Sequence, residues 1–467
     1  MLVLKFGGAA LADAPKIRAV VDCVRAWESE RPVVVVSALF GITDRLVEAV
    51  DAALAGEHER VDALHRELAE RHRDVLRELV PDDDASLAEV EAHQDDLLAD
   101  LAGVLRALTV LGEATPRSRA HVVSMGERLS SRLVAAAHRS AGTSAEPVDG
   151  EEVIQTEGGF VDAFPRPTAT RAAARERLLP LLDAGVVPVV MGFVGTDENG
   201  LTTSLGRGGT DLTASLIGAA LDVTEVRFMK EVDGILSADP RRVPTARRLE
   251  RLSYDEVAEL SYFGAKVLHP VAIQPLREKG IPAAIRDVRD PEAPGTRVTA
   301  RVADVRPGPR ALTTIADVSL LSLGGGGLQG GVGFAGRVFS ALARRKVNVL
   351  MISQGSSEQD LSLVIPGHST AEATRCLEEE LELELLKRRV DPIRITDDVA
   401  AIAVVGEGMR GLPGIAGRIF TSLGEADVNV VLIAQGSSER NVSFLVERAD
   451  LDRALERLHE SLGLGAT

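Results

Sequence analysis

The chain has 467 residues, 45% of them hydrophobic and 26% charged, so it is long enough for two or three domains with full cores. A net charge of −17 and an aromatic content of 3% argue against nucleic acid or an anionic membrane as a partner. Two cysteines, Cys23 and Cys376, are too few for a disulfide framework or a zinc site, and no metal-ligand set is predicted. This composition favours a reducing cytoplasm.

The amino terminus does not have the pattern of a signal peptide. Its apolar run, MLVLKFGGAALADAP, is interrupted at Lys5 and again at Gly7 and Gly8. No segment approaches the ~18 consecutive apolar residues that would cross a bilayer. We therefore expect an intracellular protein that does not enter a membrane.

Apolar strands alternate with helices in the first part of the chain. The predicted order begins with a strand at LVLKF, a helix at Lys16–Glu28 and an unbroken apolar run from Pro32. A helical region at Val47–Val110 follows, and HVVSMGERLSSRLVAAAHRSAG is predicted as strand, turn and helix. Later strands are predicted in GVVPVVMGFVG, at Val223–Lys230 and at Ile281–Val288, the last of the block. Continuous apolar runs separated by helices indicate a parallel sheet covered on both faces, an α/β sandwich.

A sequence repeat follows the polar, proline- and glycine-bearing stretch after Arg289. The segment from Gly336, GRVFSALARRKVNVLMISQGSSEQDLSLVI, recurs 81 residues later from Gly417, and 14 of 30 positions are identical. Two copies are too few for a solenoid, so we expect a pair of modules. Each copy is predicted as strand, helix, strand, strand and helix, the order of ferredoxin-like domains. Such modules leave a sheet edge and a strand–helix loop free for pairing and for small ligands.

Loops with polar groups follow the first two predicted strands. Lys5-Phe-Gly7-Gly8 ends the first strand, where ligands bind in open α/β sheets, so backbone N–H groups and a lysine charge can receive a phosphate. The loop from Ser37 to Thr43 follows the PVVVV run and offers hydroxyl groups at the same edge. Each loop by itself is also compatible with an ordinary tight turn.

The stretch Gly206-Arg207-Gly208-Gly209-Thr210-Asp211 is a stronger pattern. Three glycines, an arginine that can grip a carboxylate and an aspartate that opens a helix are typical of an anion-binding loop. It is not a Walker A loop, because no Lys-Ser or Lys-Thr follows the glycines. The alternative is a plain glycine-rich turn.

Two histidine- or glutamate-bearing motifs have structural alternatives of their own. His269 comes just before a proline and is predicted as a turn or capping residue rather than a catalytic one. Glu127, in Ser-Met-Gly-Glu, is predicted to follow a strand, where it can receive a substrate ammonium group. The alternative for Glu127 is a glutamate in the first turn of a helix.

The predicted strand ends carry five cations: Lys5, Arg207, Lys230, Arg241 and Lys266. In a protein of net charge −17, this set suits a nucleoside triphosphate and a dianionic substrate. Phosphoryl transfer needs positioning and neutralisation of oxygens, with Mg²⁺ bridging the phosphates. A carboxylate acceptor, with a pKa of ~4, is already ionised, so a catalytic histidine or cysteine is not required.

The motifs KFGG, SMGE, GRGGTD, KEVDGILSADPR and FGAKVLHP, in this order and spacing, resemble those of the aspartate kinase family. The resemblance covers nearly the whole chain, and the repeats resemble the tandem ACT domains that follow this kinase. It implies an amino-acid-kinase α/β/α sandwich at 1–298, followed by two ferredoxin-like ACT regions at 299–390 and 391–467. It also implies that ATP, with Mg²⁺, phosphorylates the β-carboxylate of L-aspartate to 4-phospho-L-aspartate, the first step toward lysine, methionine and threonine.

The same resemblance implies roles for individual residues. Lys5 corresponds to the lysine that stabilises the transferring phosphoryl group, and Asp211 to the aspartate that organises it. Glu127 would face the substrate amino group and Arg207 a carboxylate. The substrate-binding positions are Ser37, Thr43, Glu127, Arg207, Gly208, Gly209 and Thr210. The ATP-binding positions are Lys5, Gly7, Gly8, Lys230, Glu231, Leu236, Arg241, Lys266 and Val267.

Three positions depart from the family pattern. Thr210 stands where serine is usual, and Leu236 where tyrosine is common, which removes a ring contact to the nucleotide. Ala9-Ala10 replaces the usual Thr-Ser after KFGG, which removes hydroxyl groups near the phosphates.

The repeats resemble the threonine-responsive region of bifunctional aspartate kinase–homoserine dehydrogenases. Gln354 and Gln435 match glutamines that bind threonine there, so we expect threonine, or else lysine, as an effector and a homo-oligomer formed through the ACT regions. Because the chain ends at Thr467, where a dehydrogenase would begin, we expect a single activity. Two alternatives stay open: a related glutamate or acetylglutamate kinase, and a non-catalytic amino-acid sensor with a degenerate kinase block.

Overall fold

A computed structural model describes residues 1–82, 84, 87–264, 268–300, 302, 307–325, 333–355 and 360–465. These residues form two compact units. The first is drawn from Met1–Ile235, Glu250–Tyr254 and Val267–Val302, and the second from Leu236–Leu249, Asp255–Lys266 and Ala303–Thr467. The second unit therefore includes two segments from the middle of the sequence.

An eight-stranded sheet is the centre of the first unit. The strands of this unit are β1 (Leu2–Phe6), β2 (Pro32–Val36), β3 (Ala145–Val148), β4 (Thr156–Glu157), β5 (Phe164–Pro165), β6 (Val187–Met191), β7 (Val194–Thr196), β8 (Thr202–Ser204), β9 (Glu225–Lys230), β10 (Arg251–Ser253), β11 (Ala283–Asp287) and β12 (Thr296–Thr299). The sheet order is β10-β12-β11-β9-β1-β2-β6-β3, and only the β11–β12 pair is antiparallel. Every residue of β1, β2 and β6 is buried, as continuous apolar strands covered on both faces require.

The helices of the first unit are α1 (Ala14–Ala26), α2 (Ile42–Leu54), α3 (His58–Leu79), α4 (Leu87–Leu111), α5 (Pro116–Ser140), α6 (Gly150–Val153), α7 (Pro167–Asp183), α8 (Gly209–Leu221) and α10 (Pro270–Lys279). The intervening helix α9 (Tyr254–Tyr262) belongs to the second unit except for its first residue. The predicted helical region between Val47 and Val110 is confirmed by α2, α3 and α4. None of the helices in the described ranges is both long and apolar enough to cross a bilayer.

The strand predicted at the start of HVVSMGERL is wrong. This stretch lies inside α5, which begins at Pro116 after Thr115, whose hydroxyl accepts a hydrogen bond from the backbone N–H of Ser118 at 3.1 Å. With the helix nucleated there, both adjacent valines are helical: Val122 is buried, and Val123 is half-buried and lines a cavity. Glu127 is consequently in mid-helix, neither after a strand nor in a first turn.

The expectation that Ile281–Val288 forms the last strand of the first block is also wrong. After β11 the chain turns back, and β12 pairs with it in antiparallel register, Ala283 opposite Val298. The proline- and glycine-bearing stretch after Arg289 is thus a turn between sheet strands rather than a linker.

The second unit is built on a six-stranded sheet. Its strands are β13 (Ala311–Gly324), β14 (Met351–Gln354), β15 (Asp360–Pro366), β16 (Arg394–Val405), β17 (Val430–Gln435) and β18 (Asn441–Glu447). Its further helices are α11 (Phe334–Arg344), α12 (Thr370–Glu380), α13 (Glu382–Leu386), α14 (Ile415–Glu425) and α15 (Leu451–Ser461). Each repeat has the predicted order of strand, helix, two strands and helix, which confirms the ferredoxin-like expectation.

The two repeats share this sheet. Its order, β14-β15-β13-β16-β18-β17, joins them through the antiparallel β13–β16 pair, whose register shifts between Ile315 and Leu320. Each repeat has a separate hydrophobic core, one around Leu321 and Leu377 and the other around Ile402 and Leu458. The duplicated sequence thus encodes two cores along one sheet.

Candidate active site

A cavity of about 870 Å³ opens in the first unit at the carboxyl ends of β1, β2 and β6, facing the amino terminus of α8. Parallel sheets place their ligands at this edge because the strand-end loops and helix amino termini meet there. Among its lining residues are ten of the predicted site residues: Lys5, Gly8, Ser37, Thr43, Glu127, Arg207, Gly208, Gly209, Thr210 and Asp211.

A buried ion pair forms the floor of the cavity. Lys5 Nζ lies 2.6 Å from Asp211 Oδ1, and the two side chains are only 8% and 10% exposed. Burial by itself would raise the pKa of Asp211, but the charges of Lys5, Lys230 and His269 outweigh burial and hold that pKa below its usual range. Asp211 is therefore an ionised carboxylate that holds the lysine at the end of the first strand.

A second lysine lies at the end of the neighbouring strand. Lys230 is the last residue of β9, which pairs in parallel with β1. Burial and the charge of Lys5 together outweigh the charge of Asp211 and lower the pKa of Lys230 below its usual range. An anionic ligand beside Lys230 would favour its charged form.

The loop before α8 requires glycine at two positions. Gly206 and Gly208 have φ angles of 71° and 75°, in the left-handed region. A Cβ atom on Gly208 would lie 2.4 Å from the Cβ atom of His269, so the loop and this histidine fit together only with hydrogen at that position. His269 precedes α10 as its N-terminal flanking residue, as predicted, although its side chain forms no capping bond there. Arg207 is exposed at the cavity, and its guanidinium is available to a carboxylate.

Glu127 is a second buried acid of the cavity, besides Asp211. Its residue is 4% exposed, and Oε2 has no hydrogen-bond partner among the described residues. Burial raises the pKa of Glu127 to about 8, against the opposing effects of backbone hydrogen bonds and the charge of Lys5. A cationic group that enters the cavity would ionise Glu127 and pair with it.

Arg119, Val123 and Phe193 are among the lining residues of the cavity that sequence reasoning missed. Arg119 and Val123 precede Glu127 by two turns and one turn of α5, so the helical period would have placed them on the same face. The strand predicted there concealed this period. Phe193 follows the carboxyl end of β6 with a φ angle of 70°, and its N–H donates to Thr213 Oγ1 at 3.1 Å.

Of the predicted ATP-binding residues that the structure describes, only Lys5 and Gly8 line this cavity, whereas all the predicted substrate-binding residues do. A Cβ atom on Gly7 would lie 3.3 Å from Lys5 Nζ, so this glycine is next to the lysine of the buried pair. The Glu231 carboxylate pairs with Lys16 Nζ at 2.7 Å.

Two other predicted ATP-binding residues lie elsewhere. Leu236 and Arg241 belong to the second unit, where the Arg241 side chain is 87% exposed and pairs with Asp239 at 2.7 Å. Lys266 and Val267 lie outside the described residues.

The predicted effector residues occupy equivalent positions in the second unit. Gln354 ends β14 and Gln435 ends β17, and both side chains are exposed. Gly333 and Gly414, which precede α11 and α14, have φ angles of 90° and 85°. The two repeats therefore have the same backbone conformation at these glycines as well as the same order of strands and helices.

The cavity has donors that suit an anionic ligand, namely Lys5, a glycine-rich helix start and the exposed Arg207. In the described part of the chain, no group of three or more His, Cys, Asp or Glu side chains is arranged to hold a metal ion. A divalent cation would fit here through phosphate oxygens that bring their own charge, rather than through a protein cage.

Sequence comparison identifies the class of protein. Residues 1–287 match the amino acid kinase family, and residues 321–381 and 402–462 match the ACT domain. The chain is 32% identical over 469 residues to the bifunctional aspartokinase/homoserine dehydrogenase of Haemophilus influenzae, which covers 99% of this chain and 56% of that protein. The chain thus spans about half the length of this and other bifunctional relatives.

Two solved structures of E. coli aspartokinase III are similar over almost the whole chain. The complex with aspartate and ADP, in the R-state, has a TM-score of 0.81 at 30% identity and covers 99% of this chain and 100% of that chain. The complex with lysine and aspartate, in the T-state, has a TM-score of 0.82 at 30% identity and covers 99% of each chain.

An amino acid kinase with ACT domains is therefore the class that the fold, the cavity and the family matches define. Within that class, the chain belongs to the aspartokinase family. The predicted family and fold class are both confirmed.

Proposed function

We propose that this chain is an aspartate kinase, which transfers the γ-phosphoryl group of ATP to the β-carboxylate of L-aspartate and yields 4-phospho-L-aspartate. This reaction is the first step toward lysine, methionine and threonine. The observation that carries the proposal is the buried Lys5–Asp211 pair at the floor of a cavity that also contains Glu127 and Arg207. The R-state structure of E. coli aspartokinase III, which contains aspartate and ADP, supports the same substrates.

In the proposal, each charged group has one task. Glu127 pairs with the substrate ammonium group, and Arg207 binds a carboxylate in bidentate fashion. Lys5, held by Asp211, neutralises the charge that develops on the transferring phosphoryl group. Because the acceptor carboxylate is already ionised, no side chain needs to remove a proton. Ser37, Thr43 and the loop of Gly208, Gly209 and Thr210 complete the substrate site.

The nucleotide side of the site is proposed from the remaining residues: Lys5, Gly7, Gly8, Lys230, Glu231, Leu236, Arg241, Lys266 and Val267. Mg²⁺ is proposed as the ion bound to the phosphates, where it would neutralise their oxygens. Lys5 and Lys230, at the ends of adjacent strands, supply the protein's own charge toward the same oxygens.

The second unit is proposed as the sensor of an amino-acid effector. Gln354 and Gln435 are its candidate ligands, and threonine is favoured because the QGSSE motifs of both repeats resemble the threonine-responsive region of bifunctional aspartate kinase–homoserine dehydrogenases. Lysine is the competitor, and E. coli aspartokinase III has been solved with it. Separate calorimetric titrations with threonine and lysine decide between them, and Gln435→Ala should weaken binding of the true effector. If neither amino acid binds, the sensor proposal fails.

The remaining assignments complete the proposal. We place the domain limits at 1–298, 299–390 and 391–467, and infer a homo-oligomer formed through the ACT regions. Cys23 and Cys376 are both buried free thiols, which suits the reducing cytoplasm. Light scattering of the purified chain tests the oligomer.

The decisive test is a phosphoryl-transfer assay of the purified chain with Mg-ATP. Aspartate should support turnover, whereas glutamate and acetylglutamate, which differ in length or in the free amino group that Glu127 would pair with, should not. Turnover with glutamate alone would favour a related carboxylate kinase. The absence of turnover with all three would leave the proposal without support.

A further inference from the structure

A loop from the middle of the sequence is part of the second repeat's core. We call residues Leu236–Leu249 the docked loop; they belong to the second unit. Its Ala238 and Val243 are buried in the same cluster as Leu455 and Leu458 of α15. The loop's Ser237 N–H donates to Arg247 O at 2.8 Å, and Ser237 O accepts from Leu312 N at 2.8 Å. The docked loop is therefore a folded element.

One buried histidine of α15 contacts this loop with both ring nitrogens. His459 Nε2 lies 2.9 Å from Ser237 Oγ, and His459 Nδ1 lies 3.3 Å from Thr245 Oγ1. Ser237 is 0% exposed and His459 is 2% exposed. Ser237 Oγ also accepts the backbone N–H of Arg247 at 3.0 Å, so a single side chain connects two distant points of the loop to the helix.

Further contacts extend this attachment along the carboxyl-terminal segment. Arg247 Nε donates to Leu464 O at 3.1 Å, and Ala246 forms an antiparallel bridge with Gly465. Arg242 forms an ion pair with Asp452 at the start of α15. The loop is thus held at both ends of the helix, with His459 between them.

Comparison of the two repeats shows whether a repeat needs a buried histidine in its last helix in order to fold. α15 repeats α12 with an offset of 81 residues, so His459 corresponds to Glu378. Glu378 is exposed, whereas His459 is buried. The first repeat folds with an exposed acid at this position, so the fold of a repeat does not require a buried histidine there. The burial of His459 is explained by its contacts with the docked loop.

We propose that His459 is a positioning residue of the kinase reaction: it holds the docked loop, and with it Leu236 and Arg241, in the conformation that binds ATP. The inference rests on the proposed function, because those two residues are nucleotide ligands only in that proposal. It makes the carboxyl-terminal helix of the second repeat a determinant of ATP affinity. Aspartate binding, which uses Glu127 and Arg207 of the first unit, is not expected to depend on it.

The kinetic test varies ATP and aspartate separately. His459→Ala should raise the KM for ATP roughly three- to tenfold, since about one to two hydrogen bonds are lost, while the KM for aspartate and kcat change less than about twofold. His459→Gln, whose amide can still donate to Ser237 Oγ, should restore most of the ATP affinity. Ser461→Ala, on the same helix but bonded within it to Leu458 O, is the matched control and should behave as wild type.

A second variant and two further measurements keep the test decisive. If His459→Ala does not fold, Ser237→Ala removes the same hydrogen bond without a large cavity and should show the same selective rise. Calorimetry with ATP measures affinity without turnover, and limited trypsin digestion reports on the loop, which contains Arg241, Arg242, Arg247 and Arg248. Release of the loop should accelerate cleavage there in His459→Ala and in Ser237→Ala.

The outcomes separate the two proposals. Unchanged ATP affinity and unchanged cleavage in both variants would overturn the role of His459 while the kinase proposal stands. Equal rises in the KM values for ATP and aspartate would also overturn it, because they indicate a general structural effect. A wild-type chain that binds ATP but does not phosphorylate aspartate would refute the kinase reaction alone, and one that does not bind ATP would refute both.

Discussion

Lys5 Nζ and Asp211 Oδ1 lie 2.6 Å apart, and this ion pair joins the end of the first strand to the first turn of α8. The residues are separated by more than 200 positions in sequence and are both almost fully buried. Such a pair is expensive to desolvate, so its presence in a cavity is better explained by the chemistry of an anionic ligand than by stability. The ion pair is the structural centre of the proposed reaction.

Substitution of one partner should be costly in two ways. Lys5→Met should reduce kcat by roughly 10³-fold or more, because the ammonium group that Asp211 holds in place would no longer neutralise the charge that develops on the transferring phosphoryl group. It should also destabilise the protein by about 3–5 kcal/mol, because Asp211 stays buried without its cation. Activity assays and urea unfolding measure the two effects. The double variant Lys5→Met with Asp211→Asn should recover the free energy of unfolding, because no unpaired charge is left buried, but it should stay inactive. If the double variant regains turnover, the assignment of Lys5 is wrong.

Glu127 should make stability depend on pH in the direction opposite to a carboxyl group whose pKa is lowered on folding. Its pKa rises from 4.5 to about 8 on folding because of burial, so the folded state holds a proton that the unfolded state has lost. The free energy of unfolding therefore falls as pH rises from 4.5 to about 8 and levels off above that.

Glu127→Gln tests this dependence. The variant should be more stable than wild type by about 2–3 kcal/mol at pH 7 and equal to it near pH 4, while the KM for aspartate rises steeply. Chemical denaturation across this pH range measures the effect. A constant stability difference at every pH would show that Glu127 does not titrate as the structure indicates.

A lysine should not substitute for Arg207 in aspartate binding, although it has the same charge. Arg207→Lys keeps the positive charge but loses the planar two-donor contact with a carboxylate, so the KM for aspartate should rise about tenfold or more. The KM for ATP should change little. Arg66→Lys is the matched control, since Arg66 is exposed on α3. An unchanged aspartate KM would mean that Arg207 does not contact the substrate.

Gly208 should tolerate no side chain. Gly208→Ala combines a positive φ angle of 75° with a Cβ atom 2.4 Å from the Cβ of His269, so the loop must move and activity should fall by roughly tenfold or more. Gly185→Ala has a similar φ angle of 71° but meets no described atom within 4 Å, so it should cost only about 1 kcal/mol of stability. Thermal unfolding and kinetic assays of both variants separate backbone strain from steric conflict.

Local pattern determined much of the fold. The buried runs of β1, β2 and β6, the helical region around α3 and the order of elements in each repeat follow from periodicity and repetition, which depend on near neighbours in sequence. The strand before Glu127 and the end of the first sheet are mispredicted for different reasons. The start of α5 is a local signal, since Thr115 caps the helix through Ser118, three residues later, and this cap outweighs the strand signal of the apolar run Val122-Val123. β12 joins the sheet by pairing with β11, a contact between separate strands that an apolar run by itself does not reveal.

By itself, the sequence determined which residue types end each strand and that two ACT-like modules follow the kinase block. Only the tertiary structure decided that Lys5 and Asp211 form one buried pair, that Glu127 is in mid-helix with a raised pKa, and that the docked loop belongs to the second unit. The physical reason is that pairing, desolvation and docking are properties of groups far apart in sequence. Their energies exist only after the chain has folded.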